Sequence, residues 1–262
     1  MISVCMSVYN CEKYLEESIK SILEQTFRNF EFLIVDDCST DNSLKIIKKY
    51  SQIDNRIKFF VNKKRMGLTK NLNFLIEKSE KKYIARMDAD DISKQNRFEE
   101  QIKVFNNFNV DIVGTFCADI GLKNEIIRKR TLPIEHNDIV KMLPKLCPIA
   151  HPSVMFNKEK IQQIGSYNEY YKTSQDYSLW FKAASHNLIF YNIPKILLHY
   201  RIENSFKVRR KIQFRLLDFK IRLEGYKLNN YPKRYYFFLF IPLCLAIMPF
   251  SLYNLLKKID PR

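Results

Sequence analysis

Short apolar runs alternate with amphipathic stretches through the first 120 residues of the chain. Ile2 to Val8, Phe30 to Val35, Ile57 to Val61 and Lys82 to Met87 have the length and residue types of strands. Between them, Tyr14, Leu15, Ile19, Ile22 and Leu23 recur at helical spacing, as do Leu68, Leu72, Leu75 and Ile76. Ser39 to Ser43 supplies capping residues for a third helix carrying Leu44, Ile47 and Tyr50. A helix over Arg97 to Asn107 leads into a fifth strand, Asp111 to Cys117. Strands alternating with helices predict an α/β fold with a mostly parallel sheet.

Beyond residue 120 the pattern loosens. Ile126 to Leu132 and Ser153 to Phe156 read as strands, and Asn137 to Leu143 and Tyr177 to Ala184 as helices. No Gly/Ser-rich linker interrupts the chain, which has only five glycines, so one domain is expected to run to about Asn204. Residues 205–262 form a basic and apolar helical extension. Lys207 to Arg234 holds ten basic and two acidic residues, and Tyr235 to Leu256 holds no charge. That uncharged run approaches the roughly 20 residues that span a bilayer. Pro242 and Pro249 interrupt it and Lys257-Lys258 closes it, so a re-entrant or interfacial membrane anchor is expected. A single span and a helix buried in a dimer interface are the alternatives.

The 44 Lys and Arg against 28 Asp and Glu give a net charge of +16, which favours acidic partners without choosing among nucleotides, anionic lipid and nucleic acid. Six cysteines without a C-x-x-C pair suggest neither a zinc site nor a disulfide framework, and point to a reducing, cytosolic setting. The first residues read directly as a strand rather than a secretory leader, so secretion is not expected.

Against that basic background, two acidic clusters follow two predicted strands: Asp36-Asp37, and Asp88-Ala89-Asp90-Asp91. In an open parallel sheet both emerge at the carboxyl ends of strands, where such sheets bind ligands. Acids massed at one edge repel unless a cation or donor groups lie between them. A nucleotide diphosphate on Mg²⁺ or Mn²⁺ needs only one or two protein carboxylates, an economy that Asp88-x-Asp90 meets. Extended alternation would point Asp88 and Asp90 to one side and Asp91 away, leaving Asp91 free to cap the Arg97 helix.

Four segments carry a family resemblance: Ser3 to Asn10 (SVCMSVYN), Ile34 to Asp41 (IVDDCSTD), Met66 to Asn71 (MGLTKN) and Arg86 to Asp91 (RMDADD). In order and spacing they resemble the family 2 glycosyltransferases of bacterial surface-polysaccharide synthesis, over roughly residues 1 to 205. The resemblance implies the Rossmann-like GT-A fold and sugar transfer from a nucleotide donor with inversion. By position it implies that Ser7 and Tyr9 border the nucleobase, that Asp37 accepts from the base, that Asp88 lies near the ribose and that Asp90 holds the metal. An ionised Asp reads a ring N–H, which suits uracil. Asp36 either orients the loop or touches the nucleotide. Arg65 either approaches the pyrophosphate or base, or is one more solvated charge in Lys63-Lys64-Arg65. Asn71 is expected to fix the adjoining loop.

Asp176 matches the family's catalytic base, with Gln175 standing where a Glu is usual. The alternative for Asp176 is a helix cap. His151 fits the family's pattern beside the acceptor or diphosphate, as do Gln175 and Asp91, and the alternative for His151 is a structural role. His199 is expected to be a buried histidine rather than a metal ligand, and Trp180 a core residue. The expected enzyme is a metal-dependent hexosyltransferase adding one sugar, from UDP-hexose or UDP-N-acetylhexosamine, to a saccharide acceptor, expected to be lipid-linked, in lipopolysaccharide or capsule assembly. It would work in the cytoplasm against the inner membrane.

Other classes fit less well. Nucleotidyl transferases ordinarily carry a Gly-rich loop after the first strand, where this chain has Ser7-Val8-Tyr9-Asn10. A dehalogenase-type phosphatase would place a nucleophilic Asp there. A basic nucleic-acid- or membrane-binding protein without activity is the remaining alternative; no zinc-finger or RNA-recognition signature supports nucleic acid.

Overall fold

The computed structural model describes residues 1–202 and 212–247. Strands β1 (Ile2–Val8), β2 (Phe30–Asp36), β3 (Ile57–Val61) and β4 (Tyr83–Asp88) are parallel neighbours in the spatial order β3-β2-β1-β4. Helices α1 (Glu12–Leu23), α2 (Ser43–Ile53) and α3 (Leu68–Lys78) make the crossovers. Alternation along β1 divides the core: Ile2, Val4, Met6 and Val8 face one apolar cluster with Leu15, Ile19 and Phe98, while Cys5 faces the other with Leu72 and Trp180.

The second half joins the same sheet. After β5 (Ile92–Ser93) and α4 (Arg97–Asn107) come β6 (Ile112–Ile120), β7 (Ile126–Arg130) and α5 (His136–Met142). A 3-10 turn (His151–Ser153), β8 (Met155–Asn157), α6 (Lys158–Gln163), α7 (Gln175–Ser185) and β9 (Phe190–Arg201) follow. β8 runs antiparallel to both β4 and β6, β9 is parallel to β6, and β5 closes the far edge. β7 hangs antiparallel on β6. In the order β4-β8-β6-β9-β5, four spacings of about 4.8 Å separate β4 from β5, roughly 19 Å in a flat sheet. Asp88 and Ile92 are only four residues apart and reach at most about 14 Å. The sheet therefore curls between β4 and β5, and Ala89 to Asp91 bridges these two strands.

Several local expectations shift. Ser153 belongs to the 3-10 turn His151–Ser153, which holds Pro152 in its first two positions, and the strand begins at Met155. The strand from Ile126 stops at Arg130. Within Ser39 to Ser43 the N-cap Asn42 makes no side-chain cap, but Asp41 accepts from the amides of Ser43 and Glu12, so it caps the start of α2 and joins it to the start of α1. All six cysteines are free.

The chain resumes with α8 (Ile212–Leu228), a 3-10 segment (Lys233–Phe240) and α9 (Ile241–Ile247). α8 buries Ile221, Arg222, Gly225 and Tyr226 and packs on α7. A Cβ on Gly225 would stand 2.3 Å from Phe181 Cγ, so only glycine permits this approach. The division expected near residue 204 thus precedes a helix that shares the core of the second half. Among the described residues no helix is long and apolar enough to cross a membrane. The end of the uncharged run, from residue 248, lies outside them.

Candidate active site

Parallel register assembles the first part of the site. Val8 pairs with Asp36 and Ser7 with Asp88, so the ends of β2, β1 and β4 lie side by side. Asp37, buried just beyond β2, accepts from the amides of Met66 (2.7 Å) and Gly67 (2.8 Å) and from Asn62 Nδ2 (2.8 Å). Burial pushes its carboxyl up, but these donors outweigh that and hold it below the ordinary value. Three of its roughly four acceptor positions are committed to the loop. Gly67 supplies the turn, with φ +88°. Asn71 accepts from Asn62 and donates to Ser7 Oγ (2.9 Å), fixing the loop as expected. Asp36 is buried and accepts from the Ser39 amide, the loop-orienting arrangement. Arg65, exposed, stacks over Tyr9 with its guanidinium 3.8 Å from the ring centroid. Ser7, Tyr9, Asp36, Asp37, Arg65 and Asp88 therefore share one edge.

Asp88, Asp90 and Asp91 offer oxygens that all lie within 4.8 Å of one another. Asp91 does not point away: the chain turns at Ala89-Asp90 to start β5, and this folds Asp91 back into the group. Nor does it cap α4, whose N-cap is Asn96. Its Oδ1 accepts from the Arg201 amide (2.8 Å), and its buried Oδ2 has no hydrogen-bond partner. Burial, then the charge of Asp88, raises Asp90 to about 6 and Asp91 well above the ordinary value. Buried Arg86 grips Asp88 with both terminal nitrogens. An orphaned buried oxygen among three crowded carboxylates fits a hard divalent cation, which oxygen ligands suit. His199 pairs across the strand with Ile92 and lies outside this group.

Two arginines escaped the sequence reading as parts of the site. Arg97, fully buried, donates to the Arg86 carbonyl (2.8 Å) and supports β4 from behind. Arg201 does more. Besides its amide bond to Asp91, it donates from Nε to the Asp90 carbonyl (2.8 Å), from Nη1 to the Gly121 carbonyl (3.0 Å) and from Nη2 to Glu17 (3.0 Å). It also lies over the Tyr14 ring. It clamps the acidic turn from outside, and its place in His199-Tyr200-Arg201 was the available signal.

Asp176 stands half-buried in the first turn of α7, after Ser174 in the left-handed conformation (φ 54°). The Cys147 thiol lies 3.8 Å from Asp176 Oδ2. Ser174 Oγ donates to Asp218 of α8 (2.7 Å), anchoring the residue before Gln175. Gln175 is buried, and Trp180 is wholly in the core, as expected. His151 is buried, with Nε2 2.8 Å from the Tyr167 hydroxyl. Burial, then Arg86, drives its pKa well below the ordinary value, so it is neutral. The charges of Arg86, Asp176 and Asp88 all act on that same buried Tyr167 hydroxyl. His151, Asp176 and Asp88 thus lie around one buried tyrosine hydroxyl.

Comparison with known proteins identifies the family and the fold. The sequence profile of "Glycosyl transferase family 2" matches residues 3–165. The O-antigen biosynthesis glycosyltransferase WbnJ of Escherichia coli is 36% identical over 211 residues, covering 78% of this chain and 81% of that protein. The putative glycosyltransferase EpsE of Bacillus subtilis is 29% identical over 98% of this chain and 93% of its own. Among solved structures, S. aureus TarS 1-349 in complex with UDP-GlcNAc superposes with a TM-score of 0.72 at 19% identity, over 99% of this chain and 76% of that one. The Pyrobaculum calidifontis mannosyltransferase PcManGT, with GDP-Man and Mn²⁺, gives 0.65 at 16% identity, over 98% and 78%.

Proposed function

Since this chain belongs to glycosyltransferase family 2 and has the GT-A fold, we propose that it moves one sugar from a nucleotide sugar to a saccharide acceptor with inversion. The observation that carries this reading is the acidic trio Asp88, Asp90 and Asp91, the last of them buried with one oxygen orphaned, beside the strand ends that hold Ser7 and Asp37. These three carboxylates would hold Mn²⁺ or Mg²⁺, which supplies charge neutralisation for the departing diphosphate. Tyr9, backed by Arg65, borders the nucleobase, and Asp37 shapes its pocket. The neighbours crystallised with UDP-GlcNAc and with GDP-Man and Mn²⁺ support a nucleotide-sugar donor, with UDP-hexose or UDP-N-acetylhexosamine first.

Asp176 takes the proton from an acceptor hydroxyl as that oxygen bonds to the anomeric carbon. The bond from that carbon to the diphosphate oxygen breaks on the opposite face, and the electron pair leaves with the nucleotide. His151, neutral and held by Tyr167, orients groups beside this path without exchanging a proton. The O-antigen role in WbnJ's name supports surface glycan assembly, and the basic, apolar C-terminal region supports a lipid-linked acceptor at the cytoplasmic face of the membrane. Thermal shift and donor hydrolysis across nucleotide sugars, with and without Mn²⁺, test the reading. A metal-dependent response to one nucleotide class is expected; no response to any UDP or GDP sugar would overturn it.

A further inference from the structure

The geometry points to a built docking face for an anionic lipid bilayer, made of two short stripes. On α8, Ile212, Leu216 and Lys220 recur at every fourth residue and are all exposed, the two apolar ones by 54% and 52%. On the 3-10 segment, where side chains three apart eclipse, Arg234, Phe237 and Phe240 form the second stripe. Phe237 is 76% exposed and Phe240 54%. The stripes meet where Phe219 and Phe240 approach, with ring centroids 5.9 Å apart. The platform beneath is firm: Leu239 is buried, Tyr236 packs on Tyr226, and Lys145 lies over Phe238.

Charge chooses the occupant. The exposed ionisable residues over 212–240 are Lys220, Lys227, Lys233 and Arg234, against Glu224 alone. A second copy meeting this face would set like charges together, whereas an anionic headgroup layer complements them. Protruding Phe and Leu ringed by Lys and Arg are the composition of an interfacial anchor. The inference deepens the proposed lipid-linked acceptor and rests on that reading for its purpose, since it would bring the enzyme to such an acceptor.

The test is flotation of the full chain with vesicles of equimolar phosphatidylglycerol and phosphatidylcholine, beside pure phosphatidylcholine. The parent should float with the anionic vesicles only, and Phe237→Ser/Phe240→Ser should lower partitioning on the order of tenfold. Its melting temperature and nucleotide-sugar binding should match the parent's, which separates docking from misfolding. Equal flotation of parent and variant, equal binding to neutral vesicles, no binding, or self-association abolished by the variant would each overturn the proposal. Donor binding by the parent, measured alongside, separates this failure from failure of the sugar-transfer reading.

Discussion

The proposed donor side and the proposed base side of the site are held by different means. On the donor side, Ser7, Asp37 and Asp88 each sit within a residue of the end of a parallel strand, so sheet register places them and nearby amides lock them. On the base side, Asp176 heads a helix whose position depends on α8, tens of residues later. Ser174 reaches Asp218, Tyr171 reaches Glu224, and Arg222 donates to the carbonyls of Pro144 (3.0 Å) and Lys145 (2.8 Å), just before Cys147. Donor-side geometry is therefore local and robust, while base-side geometry is remote and conditional. Substitutions should separate accordingly, into effects on binding and effects on turnover.

The sharpest break is Asp176→Asn, which should lower turnover on the order of 10² to 10⁴-fold while calorimetric nucleotide affinity stays constant. Equal loss of nucleotide binding would dissolve the distinction between the sides. Next, Asp90→Ala should abolish the Mn²⁺ dependence of nucleotide binding. Arg201→Lys keeps the charge but loses the fork, and should weaken Mn²⁺ activation about 10 to 100-fold, with turnover recovering at saturating metal. A drop in melting temperature without any change in metal activation would reduce Arg201 to a structural residue. Gly225→Ala, which drives a methyl into Phe181, should cost about 1 to 3 kcal/mol in a denaturant melt and lower turnover before donor affinity.

The smallest effect is one of pH. The carboxyl of Asp90 is raised from 3.8 to about 6, so the folded metal-free protein holds this proton more tightly than the unfolded chain. The resulting stabilisation is present below pH 3.8 and is lost as pH rises through about 6. Saturating Mn²⁺, which needs the ionised form, should remove that slope, and Mn²⁺ affinity should fall as pH drops through about 6. Melts across this window with and without metal check both signs.

The same contrast governs what the sequence disclosed. Strands β1, β2 and β4, buried on both faces, read as apolar runs, and the ends of β2 and β4 carry the acids, so these strands, the edge strand β3, α4 and the acidic cluster were legible. β9 was not: Pro194 and Lys195 fall at a shift in the ladder between Ile193 and Ile196, which interrupts the alternation. Asp91 turns inward because β5 must be reached within a few residues, a demand of the curled sheet. Arg201 meets Asp91 across 110 residues of chain, and no local pattern encodes that. α8 read as a basic extension because composition cannot tell a solvated arginine from Arg222, which is buried on backbone carbonyls.

The fit of Gly225 against Phe181 also says where this architecture can be cut and rejoined. A chimera with a relative spliced near residue 204 would mate one protein's knob with another's socket, and the base helix would inherit the mismatch. A seam in the turn after α8, between Asn229 and Pro232, keeps that pair together, provided that the packing of Tyr231, Tyr236 and Leu239 beyond it is matched. Recombination there offers a route to grafting new surfaces without retuning the chemistry.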